Sequence, residues 1–105
     1  FAQNKNDEAI ATLTNAVAAE PNSPEANHFL GEAYLKARKG SLAVGYLNKA
    51  IELAPVEKAE VHLRLAALYN AAGMKDRAVA EYKAFLGKVA EHSERARIEQ
   101  YIKDN

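Results

Sequence analysis

The stretch LGEAYLKARKGSLAVGYLNKAIELAP, residues 30–55, decides the fold. Leu30, Ala33, Tyr34 and Ala37 recur at three- and four-residue steps, with Phe29 just before them, which lines up one face of a helix. Gly40 then offers a left-handed stop, and Ser41 can cap a following helix. Ala43, Val44, Leu47, Ala50 and Ile51 resume the helical rhythm, and Pro55, which lacks an amide hydrogen and clashes with the preceding turn, ends it. Two helices joined by so few residues run antiparallel.

The same grammar extends in both directions. Upstream, Pro21-Asn22-Ser23-Pro24 is a break: Ser23 can accept a bond from an orphan amide, and Pro24 suits a first helical turn, so a helix runs from Glu25 to about Arg38. Before the break, Asn6 or Asp7 opens a helix that reaches Ala19. Downstream, Val61, Leu65, Leu68 and Tyr69 mark a helix over residues 57–72, stopped by Gly73. Ala78, Val79, Tyr82, Phe85 and Leu86 mark another over residues 75–89. Ser93 is placed to cap a closing helix over residues 94–103, with Ile98, Tyr101 and Ile102 apolar. Alanine, the best helix former, makes up about a fifth of the chain. No long stretch alternates between β-branched and polar residues, so the fold class is all-α.

Self-similarity organises these helices. Pro21 and Pro55 are 34 residues apart, as are Ala9 and Ala43, Leu13 and Leu47, and Ala16 and Ala50. Leu30 and Leu65 are 35 apart, as are Tyr34 and Tyr69, Ala43 and Ala78, and Leu47 and Tyr82; the extra residue falls in the turn from Pro55 to Ala59. On these residues the chain resembles the tetratricopeptide repeat family. Leu30-Gly31-x-x-Tyr34 followed by Ala43-x-x-x-Leu47-x-x-Ala50-x-x-x-x-Pro55 has the family's spacing through one repeat. Leu65-Ala66-x-x-Tyr69 followed by Ala78-x-x-x-Tyr82 has it in a second, and Ala9, Leu13, Ala16 and Pro21 match the second helix of an earlier one. The sequence departs from the pattern at Asn27 and His62, where an aromatic is usual, at Phe85, where a small residue is usual, and at Ala90, in place of the terminal proline. A closing helix behind Phe85, in place of another full repeat, leaves room for the larger ring.

The resemblance implies antiparallel helix-turn-helix repeats stacked as a right-handed superhelical solenoid. It divides the chain into a second helix of a partial repeat (residues 1–22), two full repeats (23–57 and 58–92) and a capping helix (93–105). Gly31 and Ala66 are small where paired helices approach closely. Counting back from Ala9, the equivalent of Tyr34 falls just before Phe1, which makes the chain look like the C-terminal part of a longer array. The first helix is then expected to expose Ile10, Leu13 and Val17, a patch suited to self-association or a swapped neighbour.

Composition bounds the function. The chain has 105 residues, 49% of them hydrophobic, enough to build a core. Lysine plus arginine number 14 and aspartate plus glutamate 14, and the balance nearly holds in each half, which argues against nucleic-acid binding. Cysteine is absent, so disulfides, thiolate metal sites and a cysteine nucleophile are excluded. No run of about 18 apolar residues occurs, so no membrane insertion is expected. The cytoplasm and the periplasm both remain open as compartments for a soluble chain.

Catalytic signatures are lacking: there is no glycine-rich phosphate loop, no G-x-S-x-G and no H-E-x-x-H. Glu25, His28 and Glu32 share a helical face, which a charged surface with local pairing explains better than a metal site. Neither a cofactor nor an enzymatic activity is expected. The resemblance implies instead a groove lined by the first helix of each pair, at Glu25, His28, Phe29, Glu32, Leu35 and Lys36, then Glu60, Leu63, Arg64, Ala67, Asn70 and Ala71. Phe29, Leu35 and Leu63 could anchor a peptide or helix, and Arg64 could clamp a carboxylate. Some family members hold a partner's C-terminal carboxylate with lysine, asparagine and arginine; here His28 and Glu32 stand in such positions and only Arg64 matches. The expected function is a scaffold for a protein or peptide partner of unknown identity. The alternative is an oligomerisation module that self-associates through its exposed first helix.

Overall fold

A computed structural model describes residues 2–89 and 92–105. Its helices are α1 (Ala2–Ala19), α2 (Pro24–Lys36), α3 (Gly40–Leu53), α4 (Val61–Ala71), α5 (Lys75–Lys88) and α6 (Arg95–Asp104). No strand occurs among the described residues. Two compact units form, Phe1–Ala54 and Pro55–Asn105. In the first, α2 packs against both α1 and α3; in the second, α5 packs against α4 and α6. Phe1 and Ala90, which marked the start of the repeat pattern and the missing terminal proline, lie outside the described residues.

In unit one, α1 extends back to Ala2, beyond the expected start at Asn6 or Asp7, because no glycine or proline interrupts the segment. Ser23 caps α2 as its sequence suggests: its hydroxyl oxygen accepts from the Ala26 amide at 3.1 Å, and Pro24 sits in the first turn. The end of α2 differs from expectation. Arg38, with φ of 61°, takes the left-handed position, and Gly40 instead begins α3. The Lys39 amide reaches back to the Tyr34 carbonyl at 2.9 Å and the Arg38 amide to Leu35 at 3.0 Å, the paired bonds of a Schellman motif. The chain therefore enters α3 at once. Its N-cap is Lys39 with no side-chain bond, and Ser41 lies inside the first turn without capping it.

Unit two repeats this turn with the residue that suits it. Gly73, with φ of 77°, occupies the left-handed position, and the Met74 amide bonds to the Tyr69 carbonyl at 2.8 Å. The start of α4 is later than expected. Residues 55–60 form successive turns with bonds three residues back, from Ala59 to Val56 and from Val61 to Lys58, too tightly wound for an α-helix. These turns hold the extra residue of the repeat and bury Ala59. At α6 the N-cap is Glu94 without a side-chain bond, and Ser93 makes no cap; the His92 Nδ1 accepts from the Glu94 amide instead, at 3.1 Å.

Each unit carries a core built from the periodic positions. Leu30, Ala43, Leu47 and Ala50 are fully buried in the first. A β-carbon added to Gly31 would lie 2.7 Å from Leu47 Cδ2, so glycine is what lets α2 and α3 approach. In the second, Ala59, Ala66, Tyr82, Phe85 and Ile98 form one cluster, with Leu63, Leu86, Val89, Tyr101 and Ile102 packed around it. Helix α6 thus supplies Ile98 to the cluster that holds the fully buried Phe85, whose ring also meets His92 edge-on at 5.1 Å.

Candidate protein-binding surface

The cap and proline at the start of α2 set which side chains its outer face presents. Asn27, Leu30, Gly31 and Ala33 turn inward and are buried. Glu25, Phe29 and Lys36 are exposed, while His28, Glu32 and Leu35 are half-buried. Phe29 leaves 54% of its surface open, and its ring stacks on His28 with centroids 5.8 Å apart. It is the one exposed aromatic among the described residues. The His28 Nε2 stands 3.6 Å from Glu32 Oε1, one helical turn on. Phe29, Glu32, Ala33 and Lys36 line a cleft with Lys5, Asn6, Ala9 and Leu13 of α1. Asn6 closes one end by donating to the Lys36 carbonyl at 3.4 Å.

The corresponding residues of unit two have a different environment. Segment 92–104 meets two of them. Glu60 Oε1 lies 3.3 Å from His92 Nε2, the Tyr101 hydroxyl donates to Asn70 Oδ1 at 2.6 Å, and Leu63 packs against the core cluster. Arg64, Ala67 and Ala71 are exposed. Tyr101 also meets Tyr82 edge-on at 4.9 Å, and Arg97 lies 6.0 Å from the centre of the Tyr82 ring. Its hydrogen bonds, first to Tyr82 and then to Glu94, hold the Arg97 guanidinium above its ordinary pKa.

Two buried polar side chains were not read as functional from the sequence, although both had shown up as departures from an aromatic position. Asn27 donates from Nδ2 to the carbonyls of Pro21 at 3.1 Å and Ser23 at 2.8 Å, tying the α1–α2 connection to the start of α2. His62 sits between Glu81, 2.7 Å from its Nδ1, and Lys88, 2.9 Å from its Nε2. A carboxylate can only accept and an ammonium can only donate, so this arrangement fits a neutral ring with its hydrogen on Nδ1. Both residues do structural work that an aromatic would otherwise do by packing.

On α1, Ile10, Leu13 and Val17 are half-buried, while Ala9 and Ala16 are exposed. Glu25, His28 and Glu32 share one face of α2, but no group of three potential metal ligands is assembled among the described residues. No helix among the described residues is long and apolar enough to cross a membrane.

This pairing of short antiparallel helices, with a glycine at the closest approach and tyrosine, leucine and alanine recurring at a 34- to 35-residue period, defines a helical-repeat protein. The chain matches the tetratricopeptide repeat family over residues 1–62 and again over residues 60–92. It belongs to that family, whose repeats generally mediate protein–protein interaction and are typically non-enzymatic. No curated protein matches the chain.

Proposed function

We propose that the chain is a non-catalytic scaffold whose first helices, α2 above all, receive a peptide or helical segment of a partner protein. The observation that carries this reading is Phe29: a large ring left 54% open on the outer face of α2, beside half-buried Leu35 and exposed Lys36. A rigid aromatic at the edge of an apolar cleft, rimmed by charge, is the usual form of a binding anchor. On α4 the exposed Arg64, Ala67 and Ala71 extend this surface, and Glu60 and Asn70 meet His92 and Tyr101 at its edge. An arginine at this place suits recognition of a partner carboxylate.

Peptides selected from a displayed library on the intact chain provide the test. They are expected to lose at least about tenfold in affinity with Phe29→Ala, equivalent to about 1.4 kcal/mol, with the melting temperature unchanged because an exposed ring contributes little to the core. Arg64→Ala is expected to weaken those peptides that carry a carboxylate. Selected peptides indifferent to both substitutions would remove the basis for this reading.

A further inference from the structure

His62 stands on α4 at a position where an aromatic is usual, and it is 7% exposed. Its ring bridges two side chains of α5, the Glu81 carboxylate 2.7 Å from Nδ1 and the Lys88 Nζ 2.9 Å from Nε2. Lys88 is the last residue of α5 and is exposed, and nothing lies within 4 Å of a β-carbon built on its neighbour Gly87. A reagent in solution can therefore reach the amine, while the imidazole behind it is sheltered. A protonated amine has no free electron pair, so a lysine attacks an electrophile only after giving up a proton. At an ordinary surface site the acceptor of that proton is water. Here it is the lone pair of Nε2, which faces the ammonium because the hydrogen of the neutral ring is on Nδ1. Moving the proton to His62 puts the positive charge 2.7 Å from Glu81, so the carboxylate stabilises the state in which the amine is neutral. The partial negative charge at the C-terminal end of α5 favours a cation there, but the imidazolium keeps that cation only one hydrogen bond away.

We infer that Lys88 is an acylation site, modified by acyl thioesters, with His62 as the proton acceptor and Glu81 as the group that orients and steadies the ring. Carboxylate, imidazole and nucleophile follow one another as in a hydrolase triad, with an amine in place of the hydroxyl. His62 Nε2 first takes one proton from the ammonium. The neutral Nζ then attacks the thioester carbonyl carbon, a C–N bond forms and the C–S bond breaks. The sulfur leaves with the bonding electrons and collects the proton from His62 as a thiol. The second proton lost from nitrogen passes to water, and Lys88 ends as a neutral amide. Nζ keeps the acyl group, so each chain is modified once and turns nothing over. The modification removes one of the 14 basic charges, while the amide N–H can still donate to Nε2. This inference is independent of the partner-binding reading of α2.

The test incubates the whole chain at neutral pH with S-acetyl-N-acetylcysteamine, a small acetyl thioester, and follows the acetylation of each lysine by peptide mass spectrometry. Lys88 is expected to react at least about tenfold faster than Lys83 and Lys103, exposed lysines of the same unit. His62→Phe keeps a ring at the position and should bring Lys88 down to the rate of those two, with their own rates unchanged. Glu81→Gln keeps an acceptor for Nδ1–H but removes the charge, and should slow Lys88 by at least about threefold. Circular dichroism melts show whether each variant is folded. Glu81 is not fully buried, so its substitution decides the matter even where His62→Phe fails to fold. A Lys88 rate in the unaltered chain no higher than that of Lys83 would overturn the inference. So would a preference for Lys88 that survives either substitution in a folded chain at full strength.

Discussion

Arg38 and Gly73 occupy equivalent places in the two units and share a left-handed backbone, with φ of 61° and 77°. For an L side chain that conformation costs roughly 1–2 kcal/mol, because the β-carbon crowds the following carbonyl. Nothing lies within 4 Å of a β-carbon built on Gly73, so the backbone alone sets the cost of replacing it. Gly73→Ala is expected to lower stability by about 1 kcal/mol, and Arg38→Gly to raise it by less than about 1 kcal/mol, part of the relief being offset by the entropy of the freer chain. Denaturant midpoints of the two variants should move in opposite directions; movement in the same direction would contradict the turn assignment. Gly73 announces its turn in the sequence. Arg38 does not, because a Schellman turn is defined by its two backbone bonds, and an arginine can be forced into it when the next helix begins two residues later. The nearby Gly40 attracted the assignment for the ordinary reason that glycine tolerates such a conformation most easily.

At the level of helices, the close approach of α2 and α3 depends on the absence of a side chain at Gly31. Alanine there would meet Leu47 Cδ2 at 2.7 Å and the Leu47 amide nitrogen at 3.2 Å. Leu47 Cγ also stands 2.8 Å away and Leu47 is fully buried, so Gly31→Ala already forces the pair to shift. Gly31→Leu has nowhere to go and should overpack the pair, at a cost of about 1–3 kcal/mol. Thermal melting of the two variants checks this, and melting temperatures equal to that of the unaltered chain would mean that the helices are not held at this distance. Residue type and spacing made this contact legible in advance. They could not show that Asn27 and His62, standing at aromatic positions, would be held by polar partners: the Pro21 and Ser23 carbonyls for one, Glu81 and Lys88 for the other. Hydrogen bonds to a buried polar group are specific to its neighbours, whereas periodicity reports only that a position faces inward.

For the molecule as a whole, 14 basic and 14 acidic residues give zero formal charge, with a pI near 7.0. Without net repulsion between copies, solubility should pass through a minimum near neutral pH and rise on either side of it. Light scattering at fixed protein concentration across that range tests this, and a flat profile would show that specific contacts dominate over net charge. The sequence by itself determined the all-α class, the order of the helices, the 34- to 35-residue period and the resemblance to tetratricopeptide repeats. Each of these depends on local rules: which residue types form, cap or break a helix, and which recur on one face. Only the tertiary structure decided what covers each face. His92 and Tyr101 reach Glu60 and Asn70 from 32 and 31 residues away, and so draw two expected groove residues into contacts with segment 92–104. Ala9 and Ala16 stay exposed although their repeat partners on α3 are sealed. Periodicity marks a side as apolar, but burial depends on a second surface arriving there, and that is set by how whole helices pack.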